Sequence, residues 1–174
     1  MKKYYTPQTL ACAGMLIAMN VVLARLVSIP VGTLFRISVA HVPIILSGLW
    51  YGPVIGGICG FSGDLIGCAL SGYAPNPFLT ASAVFVGVLP ALFERFIMDG
   101  GPRRGRFFRI LPVIALMMLF TSQGLTTLGL SVMYGMPFEA TWLSRLPQSV
   151  FLCFLNSFLV DLLVSRVPVP KMLA

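Results

Sequence analysis

The sequence predicts an all-α integral membrane protein of six transmembrane helices, with the N- and C-termini cytoplasmic. Three observations carry that expectation. Only 10% of the residues are charged and the mean hydropathy is +0.93, whereas a soluble domain carries about 25% charged residues. The 174 residues accommodate about six spans of roughly 20 residues with short loops. No soluble catalytic domain fits beside them. Finally, threading the spans sorts the cations. Lys2, Lys3, Arg95, Arg103, Arg104, Arg106, Arg109, Arg166 and Lys171 fall on one side, and Arg25, Arg36 and Arg145 on the other. The richer side is cytoplasmic, and five or seven spans would break the segregation.

The chain reads as a single domain, 1–174, with approximate spans 6–28, 39–50, 53–70, 78–98, 110–134 and 139–164. Thr6 caps the first span and Pro7 suits its first turn. The basic start MKKYY is followed by a retained span rather than a cleaved signal peptide. Ala11, Gly14 and Ala18 lie close to one face of this span and make a strip for close helix approach. Ile29 to Ser38 is a loop. The second span is short for a bilayer and contains His41 and Pro43. Tyr51-Gly52-Pro53 turns the chain into the third span, where Gly56, Gly60 and Asp64 follow at four-residue spacing, with Gly63 and Gly67 in a second row. Ser71 to Pro77 is a loop in which Asn76-Pro77 serves as cap and start of the fourth span. Pro90 falls inside that span. Asp99 to Arg109 is the most basic loop. The fifth span carries Thr121, Ser122, Gln123, Thr126 and Thr127. Gly135-Met136-Pro137 turns into the sixth.

Several classes are excluded. Cys12, Cys59, Cys68 and Cys153 sit in apolar runs with no C-x-x-C pair, and the single histidine is His41. The pattern therefore predicts no disulfide framework, no metal site and no cofactor. The net charge of +7 does not point to nucleic acid, because the cations cluster at helix ends.

The polar residues are more informative. Arg25, Arg36, His41, Asp64, Asn76, Gln123, Trp142, Arg145 and Gln148 all map to the outer half of the predicted topology. The inner halves read as plain apolar helix. An ionisable residue at membrane depth rarely faces lipid and marks a functional site by default. Three arginines near one outer acid, Glu139, and one buried acid, Asp64, suit a ligand with carboxylates or phosphates at one end. Asp64 suits a pair of N–H donors, as on a 2-aminopyrimidine ring. Each residue also has a structural alternative. Arg25 and Arg145 fit snorkelling helix ends, and Arg36 a solvated loop cation. Asn76 fits an N-cap, His41 a packing histidine, and Asp64 a hydrogen-bonded tie between helices. Trp142 fits either an interfacial belt or a stacking surface.

Two motifs compete with a binding role. Gly60-Phe61-Ser62-Gly63 matches the serine motif of rhomboid intramembrane proteases, and His41 stands at a depth similar to Ser62. However, the histidine precedes the serine, and the glycines continue beyond the motif as a packing strip. Gly100 to Arg106 lacks the Lys and Ser/Thr of a phosphate loop, so the chain does not hydrolyse ATP by itself.

With these residues in view, the sequence resembles the substrate-binding S components of energy-coupling factor (ECF) vitamin transporters, and among them the folate-specific group. The resemblance is carried by Leu34-Phe35-Arg36-Ile37-Ser38-Val39-Ala40-His41-Val42-Pro43 and by Gly60-Phe61-Ser62-Gly63-Asp64-Leu65-Ile66-Gly67. Val21 to Arg25, and Ser131 to Gly135 ahead of Arg145, add to it. It implies a six-helix subunit that captures folate outside the cell. Such a subunit works with a transmembrane coupling subunit and two cytoplasmic ATPases. Folate has the two-ended layout deduced above. On this resemblance Asp64 holds the pterin-type ring, and Arg25, Arg36 and Arg145 are candidates for the glutamate carboxylates. Trp142 stacks on an aromatic part, and His41, Asn76 and Gln148 complete the polar contacts. Ala11, Gly14 and Ala18 dock the coupling subunit. An S component for another vitamin, thiamine or riboflavin, is the nearest alternative within transport.

Overall fold

The computed structural model describes residues 7–26, 29–31, 35–72, 74–94, 97 and 105–166. Thr6, residues 99–104 of the basic loop, and the cations Lys2, Lys3, Arg95 and Lys171 lie outside the described residues, as does the side chain of Arg36. In chain order the elements are α1 (Pro7–Leu26), β1 (Ile29–Val31), β2 (Phe35–Ile37), α2 (His41–Tyr51), α3 (Pro53–Ser71), α4 (Pro77–Leu92) and α5 (Arg106–Met118). A π-helical segment (Leu119–Leu125), α6 (Thr126–Tyr134) and α7 (Phe138–Arg166) follow. Pro7–Arg25, Pro53–Ser71, Arg106–Met133 and Phe138–Arg166 are long and apolar enough to cross a membrane, and Pro77–Leu92 is a shorter apolar helix. The third of these is α5, the π segment and α6 running on as one rod.

The remaining helix, α2, has 11 residues and spans only about 16 Å, roughly half the hydrocarbon thickness. Every residue from Val42 to Tyr51 is buried, because α1, α3, α4 and α7 all pack around it. It is the centre of the bundle rather than a lipid-facing span. Its N-terminus consequently opens at membrane depth, inside the protein. The segment ahead of it, expected as plain loop, holds a small antiparallel ribbon in which Ile29 pairs with Ile37, Pro30 with Arg36 and Val31 with Phe35. β-branched and aromatic residues favour that extended pairing. Strand β2 lies against α7.

The glycine rows of α3 separate by partner. A Cβ on Gly56 would stand 2.6 Å from the Gly87 carbonyl oxygen and 2.7 Å from the Gly48 Cα. On Gly60 it would stand 2.1 Å from the Ala83 carbonyl oxygen. That row therefore brings α2, α3 and α4 into backbone contact, the close approach that small residues permit in lipid. The second row faces α1: a Cβ on Gly63 would meet Asn20 Oδ1 at 2.5 Å, and one on Gly67 would meet an Arg25 guanidinium nitrogen at 3.0 Å. Gly52 packs against nothing. It makes the α2–α3 turn with a φ of +91°, a conformation that side chains disfavour.

The π segment is held by hydroxyls. The Ser82 hydroxyl donates to the Thr121 carbonyl at 3.2 Å, and the Thr126 hydroxyl lies 3.0 Å from the same oxygen. The Thr127 hydroxyl reaches the Ser122 carbonyl at 3.4 Å. Both threonines reach five residues back, and at Thr121 the hydroxyls add to the Thr126 backbone N–H that the carbonyl already accepts. Pro90 lies within α4, and the helix runs on to Leu92. The inner halves are also not uniformly apolar, contrary to the sequence expectation. Asn156 and Ser157, past the middle of α7, are fully buried.

Candidate functional site

The outer half of the bundle, as the charge count orients it, brings four tertiary polar contacts together. On α3, Asp64 is half-buried, and the Thr80 hydroxyl donates to its Oδ2 at 2.7 Å. Asn76 caps α4, its Oδ1 accepting the Phe78 N–H at 2.9 Å, while its Nδ2 donates to the Gly129 carbonyl of α6 at 3.5 Å. The Arg25 guanidinium donates to the Gly67 carbonyl, while its Nε is buried without a hydrogen-bond partner among the described residues. Asn20 Nδ2 donates to the Ala40 carbonyl at 2.6 Å, where α2 begins.

Asp64 therefore continues the glycine row but ends it differently. Gly56 and Gly60 bring α4 to backbone contact, and the same face then meets Thr80 one α4 turn before Ala83–Val84. The carboxylate is engaged through one oxygen by a neutral donor. Asn76 is the opposite case. Its Oδ1 and one N–H of its Nδ2 are engaged within the protein and it is 5% exposed, so in the structure it holds α4 in place. Arg25 straps the end of α1 to α3, one turn beyond Asp64.

His41 opens α2 from inside the bundle. Its Nδ1 is buried and has no hydrogen-bond partner among the described residues. The helix start around it has no side-chain cap, although Ala40 N–H bonds the Ser38 hydroxyl at 3.3 Å. A helix N-terminus carries partial positive charge and, at membrane depth, suits an anionic group of a substrate. Ser62 makes no hydrogen bond to His41 among the described residues. Gly60 and Gly63 of the G-x-S-G match are fully used in packing against α4 and α1. A Ser–His pair is not assembled.

On α7, Trp142, Arg145 and Gln148 recur every three residues and so share a face. Trp142 is 38% exposed, and Arg145 and Gln148 are half-buried. The strand bearing Arg36 runs beside this helix, so the outer cations divide between α1 and the β2–α7 side. Nearby, Gln123 ties the π segment to α7 by donating to the Ser149 hydroxyl at 2.7 Å. Ala11, Gly14 and Ala18 are all exposed on α1, and a Cβ on Gly14 would meet nothing within 4 Å. This strip is not used for packing inside the bundle.

Sequence reasoning missed Asn20 and Thr80. Asn20, at 6% exposure, was detectable as a polar residue inside an apolar span. Thr80 carried no signal, because threonine is common in such helices. Removing the Asn20 side chain leaves the buried Ala40 carbonyl without that donor. Asn20→Leu is expected to lower stability by about 1–3 kcal/mol in thermal unfolding. Met19→Leu, on the exposed face of α1, is expected to leave it unchanged. Equal stabilities of the two variants would show that the clamp on α2 contributes nothing.

The whole chain can be set beside known proteins. The family described as "ECF transporter, substrate-specific component" matches residues 8–164. The folate transporter FolT of Clostridium novyi (strain NT) is 22% identical over 148 residues, covering 83% of this chain and 81% of that protein. A crystal structure of FolT bound with folic acid matches with a TM-score of 0.77 and 26% identity, covering 93% of this chain and 95% of the other. A multi-pass helical bundle with polar contacts tying its apolar helices together, matched almost from end to end by that family, belongs to the substrate-specific components of ECF transporters.

Proposed function

We propose that the chain is a folate-specific S component. It captures folate at the outer face of a prokaryotic plasma membrane and delivers it across. It does so together with a transmembrane coupling subunit and two cytoplasmic ATPases, and it is not itself an enzyme. The observation that carries the reading is Asp64: an acid at membrane depth, held among the described residues by Thr80 through one oxygen. A charged acceptor held in a water-poor site calls for N–H donors from a ligand. The relatives named above, a folate transporter and a folic-acid-bound protein, supply a molecule with that edge.

In this reading Asp64 takes the aminated edge of the pterin ring. Arg36 and Arg145 are the carboxylate partners on the β2–α7 side, and Arg25, with its unpartnered Nε, is the third. Trp142 stacks on the ligand, and His41 and Gln148 complete the polar contacts. Asn76 acts by holding α4 and the adjacent loop. The exposed Ala11, Gly14 and Ala18 strip is the docking face for the coupling subunit, because small residues let a partner helix approach closely.

Isothermal titration of the purified protein with folate, thiamine and riboflavin tests the reading. Folate is expected to bind tightly and the other two weakly or not at all. Absence of folate binding, or tighter binding of either other vitamin, overturns it.

A further inference from the structure

We propose that Thr80 is the positioning residue for Asp64, and that it sets the site's demand for hydrogen-bond donors on the ligand; the proposal rests on the folate reading above. Thr80 is 9% exposed in the first turn of α4. Its hydroxyl lies 2.7 Å from Asp64 Oδ2 and 3.1 Å from the Asn76 carbonyl oxygen. A hydroxyl has one proton to donate. The Asn76 carbonyl already accepts the Thr80 backbone N–H at 2.9 Å, whereas the carboxylate is nearer and, when ionised, the stronger acceptor. The proton therefore belongs to Asp64.

Thr80 is itself held in register from the helix start. Asn76 caps Phe78 and reaches across to Gly129 of α6, which anchors the turn that carries the hydroxyl. The connected line runs from α6 through the α4 cap to Thr80 and then to the acid on α3. With Oδ2 held by a donor, the carboxylate is restrained, and in its ionised form the remaining lone pairs can only accept. A ring edge that presents N–H groups satisfies them. An edge lacking one leaves an acceptor of the occupied site unpaired, and sites built around such pairing reject the deficient analogue strongly. Thr80 thus contributes to selectivity without touching the ligand.

The test is calorimetry on the full chain with folic acid and with 2-desaminofolic acid, which lacks the exocyclic amine. Thr80→Val is expected to weaken folic acid binding about tenfold and to shrink the preference over the desamino analogue by about the same factor. Thr80→Ser, which keeps the hydroxyl, is expected to restore both. In an Asp64→Asn background, Thr80→Val is expected to add little, because residues acting through one contact are not additive. Thr80→Ala gives the same readings where the valine variant does not fold. Wild-type affinity in the valine or alanine variant overturns the inference. So does an equal loss on both ligands, or a full additional loss on top of Asp64→Asn, each of which marks a purely structural threonine. A wild-type chain that binds no folic acid overturns the folate reading and this inference together; wild-type binding with any of the former results overturns this inference alone.

Discussion

Asp64→Asn is expected to weaken folate binding by about tenfold to a hundredfold while leaving the bundle folded. Asparagine has the same shape as aspartate, so the helix contact survives. Its side-chain oxygen still accepts from Thr80, which now stands 2.7 Å from Asp64 Oδ2. What disappears is the charge and one acceptor position, and the new amide N–H₂ opposes the ligand's own donors. The loss therefore falls on binding and not on unfolding. Calorimetry with folate, paired with thermal unfolding of the apo protein, separates the two. Unchanged affinity with lowered stability would move Asp64 into the role of a tie between α3 and α4. A loss confined to affinity places it in the site.

Gly87→Ala is expected to be the most destabilising small substitution in the bundle. The added methyl would lie 2.1 Å from the Gly56 carbonyl oxygen and 2.4 Å from its carbon. Both atoms are backbone, and neither can rotate away as a side-chain tip can. Helices α3 and α4 must move apart, and α2, whose Gly48 lies against the Gly87 carbonyl, must follow. Overpacking of this kind costs about 3 kcal/mol. The variant is expected to show a sharply lower unfolding temperature and poor recovery in detergent. Gly14→Ala is the matched control. It adds the same methyl where nothing lies within 4 Å, and it is expected to unfold like the wild type. Similar stabilities for the two variants would mean that the three-helix glycine contact does not exist in solution.

The two substitutions show how differently the sequence exposes a site and a packing contact. Asp64 was legible because hydrocarbon penalises a carboxylate wherever it stands in a span, so one residue in one apolar run is enough to mark it. Asn76-Pro77 was legible for a similarly local reason: a cap acts within its own turn. The glycine rows of α3 announced that close neighbours exist but not which ones. Spacing identifies a helix face, whereas the assignment of Gly56 and Gly60 to α4, and of Gly63 and Gly67 to α1, depends on where three other helices sit. The exposed Ala11, Gly14 and Ala18 strip shows the same limit from the other side. Its spacing resembles that of the buried rows, yet it faces out of the bundle. Asn20 and Thr80 were overlooked because their importance lies in what they touch, Ala40 and Asp64, 20 and 16 residues away.

The sequence by itself determined the solvent of this protein: an apolar, predominantly helical chain with several spans long enough to cross a membrane. Those properties follow from transfer costs that act residue by residue and add along a span. Only the tertiary structure decided that the short α2 is sheathed by four other helices. It also decided that the fifth span widens into a π segment to which threonine hydroxyls bond, and that the half-buried Asp64 accepts from a threonine on the neighbouring helix. Each of these depends on distances between segments remote in the chain, where a polar group is tolerated only if another element arrives to satisfy it.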